Sequence, residues 1–214
     1  MLQTKDLKFT YDHQNKFSFP DILCNTGEHW LLLGTSGSGK TTFLHLIGGL
    51  RKPQEGHINI DGQDLATLRG SRLDKYRGQH IGIVFQQSHF VRALSIAENL
   101  ELAQQLAGLK RDRSKIMKIL KRLNIEEKAD TKPHRLSVGE QQRASICRAL
   151  VNEPRIILAD EPTSALDDKN CLEVLELLKQ QAQEDDITLL IVTHDTRLKS
   201  QFQHQIHLTE PANQ

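Results

Sequence analysis

The 214-residue sequence predicts an α/β fold. Its core is expected to be a mainly parallel sheet covered by helices, with an N-terminal antiparallel β subdomain and an inserted helical lobe. Three observations predict this. Short apolar runs at 30–33, 81–85, 155–159 and 188–192 are bounded by polar residues or glycine, the pattern of strands covered on both faces. Helical periodicities lie between several of these runs. From about Ser95 to Leu150 the pattern is helical throughout, which interrupts the alternation of strand and helix.

Taken in order, Leu2 to Phe9 alternates as a strand does, and His57-Ile-Asn-Ile60 runs into the turn pair Asp61-Gly62. Ser95 and Glu98 form a capping-box pattern ahead of a helix that should reach about Leu106. Ile116, Ile119, Leu120 and Leu123 repeat at helical spacing, as do Leu172, Leu175 and Leu178 after Asp168. No repeat, low-complexity tract or long linker divides the chain. Residues 1–214 are therefore read as one domain, with the helical lobe over about 88–150.

Hydrophobic residues at 37% and charged residues at 26% are ordinary for a soluble globular protein. Lysine and arginine number 28 against 27 acids, so there is no electrostatic case for nucleic acid or an anionic membrane. Cys24, Cys147 and Cys171 form no C-x-x-C pair and read as buried thiols in a reducing compartment. The N-terminus lacks a signal-peptide core, and no apolar run approaches bilayer length. A cytoplasmic chain is expected, with any membrane part supplied by another polypeptide. His204 and His207 read as a surface strand or turn rather than a metal site.

The sharpest motif is Gly34-Thr35-Ser36-Gly37-Ser38-Gly39-Lys40-Thr41, a full match to G-x-x-x-x-G-K-[ST]. It follows an apolar run and opens a helical pattern at Thr42, the strand–loop–helix context of a P-loop. The glycines let successive N–H groups converge on an anion, and the helix N-terminus adds partial positive charge. Lys40 would reach the β- and γ-phosphates, and Thr41 would offer a hydroxyl to Mg²⁺. Arg155-Ile-Ile-Leu-Ala-Asp160-Glu161 is an apolar strand ending in two acids. Beside a phosphate loop, Asp160 can hold Mg²⁺ and Glu161 can polarise the water that attacks the γ-phosphate. Pro162 sets a rigid turn behind them.

Leu136-Ser137-Val138-Gly139-Glu140-Gln141-Gln142-Arg143 narrows the class. Ser137 and Glu140 form a second capping box, so a helix begins here with N–H groups free to face an anion. The segment resembles the signature of the ATP-binding cassette (ABC) family, usually Leu-Ser-Gly-Gly-Gln or Leu-Ser-Gly-Gly-Glu. In the same order, Gln86 resembles the family's Q-loop glutamine, 164–167 its D-loop and His194 its switch histidine. Tyr11 resembles the aromatic that stacks on adenine, with Phe9 and Phe17 as competitors. The resemblance runs from Tyr11 to His194.

It implies a P-loop NTPase core that binds ATP and Mg²⁺ and hydrolyses ATP. Lys40, Thr41, Gln86, Asp160, Glu161 and His194 would act on one nucleotide, with Thr41, Gln86 and Asp160 at the metal. Ser137, Gly139 and Glu140 of a second copy would close on it in a head-to-tail homodimer with two ATP. Val138 departs from the usual glycine and limits close backbone approach there. Leu68-Arg69-Gly70, Ile81 to Gln86 and Ala97-Glu-Asn-Leu100 resemble the lipoprotein-releasing, macrolide-exporting and cell-division subfamily. That implies an integral membrane permease as partner and a peripheral place on the cytoplasmic face of the inner membrane. An importer ATPase, a cell-division regulator and a soluble ABC ATPase are the alternative readings.

Overall fold

A computed structural model describes residues 1–11, 15–163 and 168–208. Strand β1 (Leu2–Tyr11) turns Leu2, Thr4, Leu7 and Phe9 into the core. That set steps by three between Thr4 and Leu7, because the register against its neighbour slips between Lys5 and Lys8, where Asp6 has φ +52°. The bulge returns the alternation to the buried face. β1 pairs antiparallel with β2 (Asn15–Ser18), β3 (Ile22–Cys24) and β5 (Glu55–Ile60), and β5 pairs with β6 (Gln63–Asp64).

The second sheet is parallel throughout. Its order is β10 (His204–Leu208), β4 (His29–Gly34), β9 (Thr188–Thr193), β8 (Ile156–Asp160) and β7 (Ile81–Val84). Its central strands are apolar on both sides because two separate cores claim alternate residues. Leu32, Leu158, Leu190 and Val192 join the cluster beneath the antiparallel sheet and α1 (Lys40–Ile47). Leu31, Leu33, Ile157, Ala159, Leu189 and Ile191 join the opposite one.

That opposite cluster continues into α3 (Ile96–Leu106), α4 (Arg113–Arg122) and α5 (Val138–Leu150), which all lie between β7 and β8 in the chain. The stretch is not helical from end to end: short 3₁₀ turns at 126–128 and 133–135 lie between α4 and α5. α2 (Ser71–His80) buries none of its residues. It therefore carries no apolar period, and the sequence pattern gave no sign of it. α6 (Asp168–Glu184) packs on the parallel sheet. The three cysteines are buried free thiols, and burial pushes Cys24 up to about 12. No helix among the described residues is long and apolar enough to cross a membrane.

Strand order matters for chemistry. In a parallel sheet the carboxyl ends of the strands open onto one edge, where crevices form. Here that edge gathers Gly34 from β4, Asp160 from β8, Thr193 from β9 and the residues after β7.

Candidate active site

β4 ends at Gly34, and the chain turns through a glycine loop into α1. Gly37 and Gly39 have φ of +83° and +90°. At Gly39 a β-carbon would sit 2.7 Å from the Phe17 ring, so both the dihedral and the close approach demand glycine. The Lys40 ammonium donates to the carbonyls of Gly34 and Thr35, each at 2.8 Å, and is thereby folded over the loop. The buried hydroxyl of Ser38 has no hydrogen-bond partner among the described residues.

Loop and strand ends enclose a cleft of about 610 Å³. It is lined by Ser36, Gly37, Gly39, Lys40, Thr41 and Thr42 of the loop and α1, and by Phe17, Gln86, Glu161 and His194. Asp160 lies beside it: the Thr41 hydroxyl donates to its carboxylate at 3.4 Å. Burial raises the Asp160 carboxyl above the usual range, against the Thr41 hydrogen bond and the charges of His45 and Lys40. His45, on α1, is lowered chiefly by its own burial, with Asp160 opposing. Its nearness to Asp160 had no sequence signal, because the two residues meet only where α1 packs on β8.

Glu161 has the left-handed φ of +47°, a strained conformation for a residue that is not glycine. The turn aims its side chain back at β9. One carboxylate oxygen accepts from the Thr193 hydroxyl at 2.8 Å. The other accepts the His194 backbone N–H at 3.0 Å and lies 2.7 Å from His194 Nδ1. Thr193, which the motif reading did not single out, thus helps fix the acid; its signal was only its place before His194.

Tyr11, expected against the adenine, stands off the cleft, and the signature residues expected to act from a second copy lie apart from it. Tyr11 is not among its lining residues: its hydroxyl lies 3.1 Å from Thr42 Oγ1. Its ring is edge-on to Phe9 and Phe17, with the Arg51 guanidinium 4.8 Å from its centre. The aromatic that lines the cleft is Phe17. Ser137, Gly139 and Glu140 sit at the start of α5, also outside this lining. There the Ser137 hydroxyl accepts from the Glu140 N–H at 3.3 Å and the Glu140 carboxylate accepts from the Ser137 N–H at 2.8 Å. That backbone hydrogen bond from Ser137, seconded by Lys128, holds Glu140 below the usual carboxylate range. Val138 is 58% exposed, and nothing lies within 4 Å of a β-carbon built on Gly139, so this helix end opens to solvent. Residues 164–167, matched to the D-loop, lie outside the described residues.

Comparison with known proteins agrees with this architecture. The family profile described as ABC transporter matches residues 20–164. The lipoprotein-releasing system ATP-binding protein LolD of Syntrophotalea carbinolica is 36% identical over 195 residues, 90% of this chain and 86% of that protein. The macrolide export ATP-binding/permease protein MacB of Escherichia coli O157:H7 is 39% identical over 186 residues, 86% of this chain but 28% of that longer protein. Among solved structures, the ATP-binding cassette MJ0796, a dimer in a post-hydrolysis state with ADP and Pi, superposes with a TM-score of 0.86 at 37% identity. That match covers 97% of this chain and 94% of the other. A profile match over most of the chain, joined to relatives at this identity, settles its place: the chain belongs to the ABC transporter family, as one of its ATP-hydrolysing cassettes.

Proposed function

We propose that the chain works as a homodimer which closes around two ATP molecules and drives a separate integral membrane permease, of the lipoprotein-release or macrolide-export type. The carrying observation is the separation of the two phosphate-binding features. The P-loop cleft holds Lys40, Gln86, Glu161 and His194, while the Ser137 helix end lies elsewhere on the surface, open and capped. A helix N-terminus of this kind favours an anion, and a second copy is the means of bringing it to the γ-phosphate. The dimeric MJ0796 cassette and the LolD and MacB relatives support this reading.

In the cleft, the loop N–H groups and Lys40 bind and orient the phosphates. The Thr41 hydroxyl and the Asp160 carboxylate are hard oxygen donors 3.4 Å apart. With Gln86, which lines the same cleft, they fit Mg²⁺, which favours oxygen ligands and would supply charge neutralisation at the phosphates when bound. Glu161 is the general base. Its carboxylate is occupied by Thr193 and His194 here. Turning the His194 imidazole towards a γ-phosphate would free one lone pair of that oxygen for the attacking water, while the His194 N–H and the Thr193 hydroxyl keep the carboxylate aligned. Positioning then falls to Gln86, His194 and the second copy's Ser137 and Gly139.

The permease would dock beside the Gln86 segment, where Ile83, Phe85 and the exposed Leu50 and Leu106 line a second cleft. The chain would then sit at the cytoplasmic face of the inner membrane, as a peripheral subunit.

Glu161→Gln tests the assignment. The amide keeps shape but cannot take a proton, so turnover should fall by at least about a hundredfold while an ATP-bound dimer accumulates. Turnover close to the parent would remove Glu161 from the role of base.

A further inference from the structure

We propose that Arg148 is a positioning residue: it ties the segment carrying Gln86 to the helix that begins at Ser137, so that nucleotide in one cleft sets the orientation of the α5 N-terminus offered to the second copy. This rests on the dimer reading above.

Arg148 lies in the last turn of α5. Its Nη1 donates to the His89 carbonyl at 3.2 Å, and its guanidinium carbon lies 4.7 Å from the centre of the Phe90 ring. His89 is itself constrained, with φ +45° and its ring edge-on to Phe85 at 5.5 Å. Gln86 thus lies between Phe85 and His89, two residues fixed against each other, with Arg148 gripping the segment just beyond. A second grip follows. The buried Asn99 side chain accepts from the Val91 N–H at 2.9 Å and donates to the Ser95 carbonyl at 2.8 Å. Between Ser137 and Arg148 runs uninterrupted helix, about 16 Å at 1.5 Å per residue. A displacement of the Gln86 segment at one end is therefore carried to the signature end as the motion of a rod.

Stability alone does not account for an arginine here. Among the described residues no carboxylate pairs with it, and burial pushes its pKa down to about 10. The residue is half-buried at the wall of the second cleft, and even a partial loss of hydration without a counter-ion costs stability. An apolar side chain of similar length would fill the space without that cost. What the guanidinium adds is directed: a donor for the His89 carbonyl and a cation over the Phe90 face.

The test uses the Glu161→Gln chain as parent, with Arg148→Met and Arg148→Lys added. Three quantities are read: melting temperature, affinity of the monomer for a fluorescent ATP analogue, and the ATP concentration that half-saturates dimerisation by light scattering. Arg148→Met should leave the melting temperature and monomer affinity near the parent. It should raise the ATP needed for dimerisation by at least about fivefold, a coupling of ordinary size. Arg148→Lys, which retains a donor and a cation, should recover part of that loss. Dimerisation of Arg148→Met at the parent's ATP concentration overturns the proposal. So does a fall in melting temperature and monomer affinity that matches the dimerisation defect, since a purely structural role predicts it. Failure of the parent itself to dimerise would overturn the dimer reading, and this inference with it.

Discussion

At the scale of single residues, the cleft depends on conformations that side chains rarely adopt. Glu161 accepts a left-handed backbone to turn its carboxylate onto Thr193 and His194, and Gly39 accepts one to pass beneath Phe17. The second arrangement bears on which aromatic meets the base of the nucleotide. Phe17 lines the cleft, whereas Tyr11 is engaged with Thr42 and lies under Arg51. Replacing each ring by leucine preserves bulk and removes the π-face. Phe17→Leu should weaken ATP binding by about tenfold, within the range of base–aromatic stacking. Tyr11→Leu should weaken it far less, since it forfeits one hydroxyl contact and packing away from the cleft. Fluorescence titration of both variants checks this, and the reverse order would return the adenine contact to Tyr11.

Among the elements, α3 and α5 start alike and differ in what lies before them. Each has a complete capping box, Ser95 with Glu98 and Ser137 with Glu140. Ser95 is buried within the lobe, whereas Ser137 is exposed. Ser95→Ala and Ser137→Ala should each cost about 1 kcal/mol in denaturant unfolding, the usual worth of an N-cap. If the Ser137 end meets a nucleotide, only Ser137→Ala should also depress ATPase turnover. Equal effects of the two on turnover would leave Ser137 a cap and nothing more. Both boxes were legible in the sequence because a cap is a local event, written within four consecutive residues. The phosphate loop and the Asp160-Glu161 pair were legible for the same reason. Helix α2 was not, because it buries no side chain, and β10 was legible only as a surface strand or turn at His204 and His207, because its pairing with β4 is far away in sequence. Thr193 also escaped, since its place in the site comes from a turn rather than from spacing, and Phe17 was legible only as a competitor of Tyr11 because strand pairing decides which ring reaches the cleft.

For the whole molecule, the two cores on either face of the parallel sheet leave several histidines partly out of water. His29 at the start of β4, His45 on α1 and His80 at the end of α2 are all pushed below their ordinary value of 6.5, burial being the largest cause in each. For a base with a lowered folded pKa, the unfolded chain takes up the proton first. The stability these groups contribute is thus fully present above 6.5 and lost as pH falls from 6.5 through their folded values. Glu28, Glu98 and Glu140 are lowered from 4.5, chiefly by hydrogen bonds. Their contribution is present above 4.5 and lost as pH falls through the folded values. Asp160 runs the other way: its raised pKa favours the folded state below 3.8, an advantage lost as pH rises through the folded value. The melting temperature should therefore fall in two stages on acidification, a first below 6.5 and a second below 4.5. Replacing His29, His45 and His80 together by glutamine should flatten the first stage and leave the second, because the capping carboxylates are untouched. A melting series in overlapping buffers reads both stages from the same samples. If the triple variant loses stability below pH 6.5 as steeply as the parent, these histidines do not set the acid limit of the fold.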